Sequence, residues 1–166
     1  MTLGRSIAYF AALTFGLALC AGPAAAASLP DGGMTATEIA TWLRGAGYPA
    51  EVKPDPTTAG DQIVSTATDG VNVDIYLYDC SGGGDARRCT SMQYAAGWPP
   101  AAAYNLAKTN QWNRSNRYIK AYMTEKGSLY GEYDLDLSPG GTYEMLSDTL
   151  QNWRSTVLTF VKYFAD

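Results

Sequence analysis

The chain has 166 residues, 46% hydrophobic, 17% charged and 12% aromatic, the make-up of one globular domain and not of a disordered or collagen-like chain. Twelve basic residues against sixteen acidic ones leave a net charge of −4, so no positive field exists to hold nucleic acid or anionic lipid. Histidine is absent, which removes the imidazole that serves many enzymes as base, metal ligand or near-neutral switch.

Arg5, an apolar run over residues 7–19 and the stretch Ala24-Ala25-Ala26-Ala27 make residues 1–27 a secretory signal peptide, with Ala25 and Ala27 in the small positions of a site cut after Ala27. The run is shorter than the roughly 20 residues a spanning helix needs, so no stable membrane insertion is expected after cleavage. Acylation at Cys20 is the rival reading, and the bulky Leu19 before it stands against that. The mature protein is expected in a periplasm or outside the cell.

Residues 28–34, Ser-Leu-Pro-Asp-Gly-Gly-Met, read as a flexible leader. Thr35 and Glu38 then form a capping box, and Ile39, Trp42, Leu43 and Ala46 recur at helical spacing until Gly47. Residues 50–53 and 62–67 are strand candidates. Asp69-Gly70 signals a tight hairpin, after which Val71, Val73, Ile75 and Leu77 alternate with Asn72, Asp74, Tyr76, Tyr78 and Cys80. A fourth strand covers residues 89–97.

With the signal peptide removed, Cys80 and Cys89 are the remaining thiols, an even pair in an exported chain. A disulfide at the root of a hairpin follows, with Cys80, Cys89, Ser91 and Gln93 on the tyrosine side; closing so short a loop is worth roughly 2.5–3 kcal/mol. A redox pair is the alternative, but the spacing is not Cys-x-x-Cys and no helix starts after Cys80.

Pro99-Pro100 open a helix over residues 101–111, with Asn110 and Asn113 near its end. Residues 117–123 and 128–137 form a second hairpin around Glu125-Lys126-Gly127, with Ile119, Ala121, Leu129, Tyr133 and Leu135 on its apolar side. Beyond Gly140-Gly141, Thr142 caps a long helix whose stripe is Leu146, Leu150, Trp153, Val157, Phe160, Val161 and Phe164. The sum is one α+β domain over residues 35–166, with three helices and an antiparallel sheet of five to six strands in the order α-β-β-β-β-α-β-β-α.

That order of elements, together with Asp69-Gly70, Cys89-Thr90-Ser91-Met92-Gln93, Asn110-Gln111-Trp112-Asn113 followed by Arg117-Tyr118, Lys120-Ala121-Tyr122, and Gly140-Gly141 before a helix carrying Trp153, resembles the YbjN family of bacterial proteins. The resemblance implies a fold like that of type III secretion chaperones and a role in regulating sensory transduction. The signal peptide departs from a cytoplasmic pattern.

The chemistry on offer is sparse. Glu132, Asp134 and Asp136 share one strand face and could act as paired acids on a glycoside, although a solvated strand face explains them as well. Asp79 and Asp85 around three glycines lack the ligand rhythm of a calcium loop, and Gly82-Gly83-Gly84 is not followed by the Gly-Lys-Ser/Thr of a phosphate loop. Asn110, Trp112, Asn113 and Arg117 could border a pocket, or a buried Trp could have asparagines satisfying backbone around it. Tyr76, Tyr78, Tyr118, Tyr122 and Tyr130 should share the second sheet face, where half-polar rings suit an interface. The expectation is an exported, non-enzymatic binding or regulatory domain without cofactor or metal, presenting that face to a protein partner or a second copy. The alternatives are a small-molecule or peptide sensor with its pocket near Trp112, and an acid-dependent hydrolase.

Overall fold

The computed structural model describes residues 26–165, so the expected signal peptide lies outside the described residues except for Ala26 and Ala27. The capping box forms as read: Thr35 Oγ1 accepts from the Glu38 amide at 3.2 Å and Glu38 Oε2 accepts from the Thr35 amide at 2.9 Å, starting α1 (Ala36–Gly45). Gly47, at φ 89°, takes the left-handed position beyond the last turn.

Among the described residues, the strands β1 (Ala50–Pro54), β2 (Gln62–Thr68), β3 (Val71–Ser81), β4 (Arg88–Trp98), β5 (Lys120–Met123) and β6 (Leu129–Asp136) pair antiparallel in the order β1-β2-β3-β4-β6-β5. With α2 (Leu106–Ser115) and α3 (Tyr143–Ala165) the sequence of elements is α-β-β-β-β-α-β-β-α, an α+β fold. Asp69 and Gly70 join β2 to β3 with φ of 51° and 83°, the paired positive values that a type I′ turn requires.

The helices pack on one face of the sheet. Val64, Val73, Ile75, Leu77, Met92, Tyr94 and Ala96 from the strands meet Ile39 and Leu43 of α1, Trp112 of α2, and Leu146, Leu150, Trp153, Val157, Phe160 and Phe164 of α3 in one buried cluster. At its centre the Trp153 ring stacks on Tyr94 with centroids 5.5 Å apart.

Two expectations are corrected here. The leader 28–34 is anchored, not flexible: Leu29 and Met34 carry apolar side chains into the core, the Leu29 amide donates to Gly141 O at 2.9 Å, and Met34 and Cys89 exchange backbone bonds at 3.0 and 2.9 Å. Gly33 permits this approach, since a Cβ there would overlap the Cys89 carbonyl. The second helix begins at Leu106 and not after Pro99-Pro100, because Asn105 supplies the cap: its side chain accepts from the Lys108 amide at 2.9 Å.

Arg88 ties the anchored segment to α1. Its Nη1 donates to Gly33 O at 2.7 Å and to Glu38 Oε2 at 2.9 Å, while Nη2 donates to Glu38 Oε1 at 2.7 Å. Partial burial pushes the Glu38 carboxyl up, but its hydrogen bonds with Arg88 and Thr35 outweigh that and hold it below its ordinary value. A carboxyl lowered in the folded state adds stability that is present above its unfolded value and lost as the pH falls through its folded one. Glu38→Gln is therefore expected to lower the urea midpoint at pH 7, with the gap to the parent protein narrowing as the pH is taken below the ordinary carboxylate range; a gap of unchanged size across that range counts against the ion pair. Trp153 is fully buried mid-stripe, so Trp153→Ala should cost roughly 3–5 kcal/mol in urea unfolding, and an unchanged midpoint would contradict the packing described.

Candidate functional site

Period-two alternation sends Asn72, Asp74, Tyr76 and Tyr78 of β3 away from the core that Val73, Ile75 and Leu77 enter. Pairing carries the same face across the sheet in rows: Asp74 opposite Ala95, Ala95 opposite Glu132, and Glu132 opposite Lys120; likewise Tyr76, Gln93 and Asp134; and Gly97, Tyr130 and Tyr122. The shape follows from residue size. β4 contributes small Ala95 and Gly97 between strands bearing tyrosines, so the rings of Tyr76, Tyr78, Tyr122 and Tyr130 wall an open basin of about 700 Å³ that Thr57, Trp98 and Pro99 also line. Tyr130 lies across Gly97, where an added Cβ would come within 2.7 Å of its ring, and Tyr122 stacks on Tyr130 with centroids 5.3 Å apart.

Polar contacts stiffen this face. Gln93 Nε2 donates to Asp134 Oδ1 at 2.7 Å and Tyr78 Oη to Gln93 Oε1 at 3.4 Å. Ser65 Oγ donates to Asp74 Oδ1 at 2.6 Å, and Lys120 Nζ lies 2.7 Å from Glu132 Oε2. Burial raises the phenols of Tyr76 and Tyr78, and nearby carboxylates add to it: Asp74 and Asp55 for Tyr76, Glu132, Asp134 and Asp55 for Tyr78. Tyr122 is raised by burial and by a hydrogen bond with Glu132. The rings are thus neutral, and they offer apolar faces and hydroxyls beside carboxylate acceptors.

The residues singled out from sequence fall into three places. Tyr76, Tyr78, Tyr122 and Tyr130 share the basin; Tyr118 does not. Its φ of 73° places it before β5, which begins at Lys120, so the alternation argument does not reach it. The Tyr118 ring lies 5.5 Å from that of Tyr133 and borders a depression against Ser155, Thr156 and Thr159 of α3. Glu132, Asp134 and Asp136 follow one another along β6, about 6.6 Å apart by strand rise, pointing the same way and not across a cleft.

Cys80 and Cys89 stand directly opposite, with Cα atoms 3.9 Å apart, and form the disulfide. They do not lie on the tyrosine side. Asp79 adopts φ 53°, which inverts the alternation after Tyr78; Cys89 is buried in the core and Cys80 packs against it.

The Asn-x-Trp-Asn run has structural duties. Trp112 is fully buried, its Nε1 donates to Ile119 O at 2.8 Å, and its ring meets those of Phe160, Tyr163 and Phe164, which fill the space expected for a pocket. Asn113 holds both backbone groups of Ala121, accepting from its amide at 2.9 Å and donating to its carbonyl at 3.0 Å. Asn110 and Arg117 are exposed, with the Arg117 guanidinium 5.2 Å from the Tyr118 ring centre. The sequence offered asparagines satisfying backbone around a buried Trp, but not that Asn113 would reach Ala121 of β5, nor the Lys120–Glu132 pair. Alternation alone carried the signal for the small Ala95-Gly97 floor.

A six-stranded antiparallel sheet covered by helices on one face, with a tyrosine basin on the other, defines a one-sided α+β scaffold with no recognisable catalytic set among the described residues. The chain belongs to the YbjN family, whose model, described as a putative bacterial sensory transduction regulator, matches residues 35–166. That description is of a regulator and not of an enzyme. No curated protein matches the chain significantly.

Asn113→Ala is expected to leave the outer backbone groups of β5 to solvent, lowering stability by roughly 0.5–1.5 kcal/mol and producing concentration-dependent association through the bared edge. Urea unfolding and sedimentation check both, and a variant that stays monomeric at unchanged stability contradicts the role given to Asn113.

Proposed function

We propose that the protein is an exported, non-enzymatic regulatory domain that acts by presenting its open tyrosine face to a protein partner. The observation that carries this reading is the basin itself: four tyrosines around small floor residues on the sheet face opposite the helices. Tyrosine combines a large contact area with a hydroxyl that tolerates water before binding, which is why it is enriched in interface cores. The family's description as a regulator favours this reading over catalysis. Export is supported by the signal-like residues 1–27 and by the Cys80–Cys89 disulfide, a bond typical of oxidising compartments. A different protein is favoured over a second copy, because two such faces meeting would set the carboxylates of Asp74, Glu132 and Asp134 against their own kind.

A photo-crosslinking side chain placed at Tyr78, which is 45% exposed, is compared with one at Leu158 on α3, 48% exposed. In cells, the Tyr78 position is expected to give one discrete product in the envelope fraction, and the Leu158 position none. Equal products, or none from Tyr78, overturn the reading; a product of twice the chain's mass replaces the foreign partner with a second copy.

A further inference from the structure

We propose that the segment received in this basin is cationic: a peptide stretch of the partner presenting lysine or arginine, with one such side chain seated between Asp74 and Glu132. The inference rests on the reading of the tyrosine face as the binding surface and adds the chemistry of what binds there. Asp74, Ala95 and Glu132 occupy one row across β3, β4 and β6, and both carboxylates line the basin. Between them the floor carries only the Ala95 methyl, and two strand spacings put their backbones about 10 Å apart. An ammonium or guanidinium entering over Ala95 meets a carboxylate on either side.

Charge bears in the same direction. Asp55, Asp74, Glu132 and Asp134 are near enough to act on the phenols of Tyr76 and Tyr78, whereas Lys120, which acts on Tyr78 in the opposite sense, is already engaged by Glu132 at 2.7 Å. Glu51 and Lys53, farther out on β1, pair with each other at 3.3 Å and cancel. The carboxylates retain acceptor capacity: Asp74 takes one hydrogen bond from Ser65, and a carboxylate accepts about four. The ring faces suit the same guest, since a cation within about 6 Å of a tyrosine centre is attracted to it and the methylene stem of lysine or arginine lies well along apolar rings. Among the described residues that line the basin there is no lysine or arginine to receive an anionic segment, which would meet the carboxylates of Asp74 and Glu132, and a neutral one would leave their charge unbalanced.

The test uses the purified protein, ¹⁵N-labelled, with three synthetic peptides of one length: Lys/Arg-rich, Glu/Asp-rich and Ser/Gln-rich. Spermidine serves as a fourth probe. The Lys/Arg peptide alone should move the amide signals of Asp74, Ala95 and Glu132. Raising the salt from about 0.05 to about 0.5 M, which shortens the screening length severalfold, should weaken it at least tenfold. Asp74→Asn, which keeps an acceptor for Ser65, should weaken it severalfold, and Asp74→Asn with Glu132→Gln tenfold or more, with an otherwise folded spectrum; Glu125→Gln, on the β5–β6 turn, should change nothing. If the Ser/Gln peptide moves the same signals equally, the cationic assignment falls while the tyrosine face stands as a binding surface. Equal binding of spermidine overturns the peptide. Signals that move only on the helix side, or not at all, overturn the inference, and the Tyr78 crosslink then decides the face independently.

Discussion

The contact on which the rest of the structure depends is the seating of α3 across the sheet, with Trp153 on Tyr94 and Phe160 between Trp98 and Trp112. α3 has 23 residues and so runs about 34 Å, against about 24 Å from the first to the last of six strands. One helix is thus long enough to cross the sheet. The shorter helices close its ends, α1 beside β1 and β2 and α2 beside β5. Because these elements are spent on one face, the surface of the other is set by side chains alone, and its relief by which strand carries large residues and which small.

A second knot joins segments far apart in the chain. Arg88 grips Gly33 and Glu38 together, and its neighbour Cys89 is bonded covalently to Cys80 and through its backbone to Met34. The N-terminal segment is held where the disulfide pins the β3–β4 hairpin. The chain-entropy gain from closing that short loop, roughly 2.5–3 kcal/mol, therefore falls where the ordering of the N-terminal segment also has to be offset.

What was legible in the sequence was local. The Thr35–Glu38 capping box, the Asp69-Gly70 turn and the stripe through Trp153 each depend on residues a few positions apart, and each appears where the pattern puts it. What was not legible turns on single residues or on distant partners. A left-handed Tyr118 has no sequence cue, since such a backbone is disfavoured for a bulky side chain, yet it moves one of five tyrosines off the basin. Asp79 does the same to the disulfide. The glycines and proline of residues 28–34 read as flexible, and Leu29 and Met34 override them because a core distant in sequence receives them. The basin needed β4 to pair with β6 across the intervening α2 and β5, a register that no short-range pattern encodes.

An uncovered sheet face with exposed rings is a risk for self-association, and so are the outer edges of β1 and β5. At β5, Asn113 occupies the backbone groups of Ala121 that an added strand would use. At β1, Glu51, Lys53 and Pro54 make a charged edge interrupted by a residue without an amide donor. On the proposed reading, the carboxylates set among the tyrosines favour a partner of opposite charge over a second copy carrying the same acidic face. Each route to self-pairing is thus opposed by a different device, while the basin keeps its ring faces and acceptors open. On the proposed reading that combination acts as a filter: the features that turn away a second copy of the chain are the ones a basic segment would find complementary.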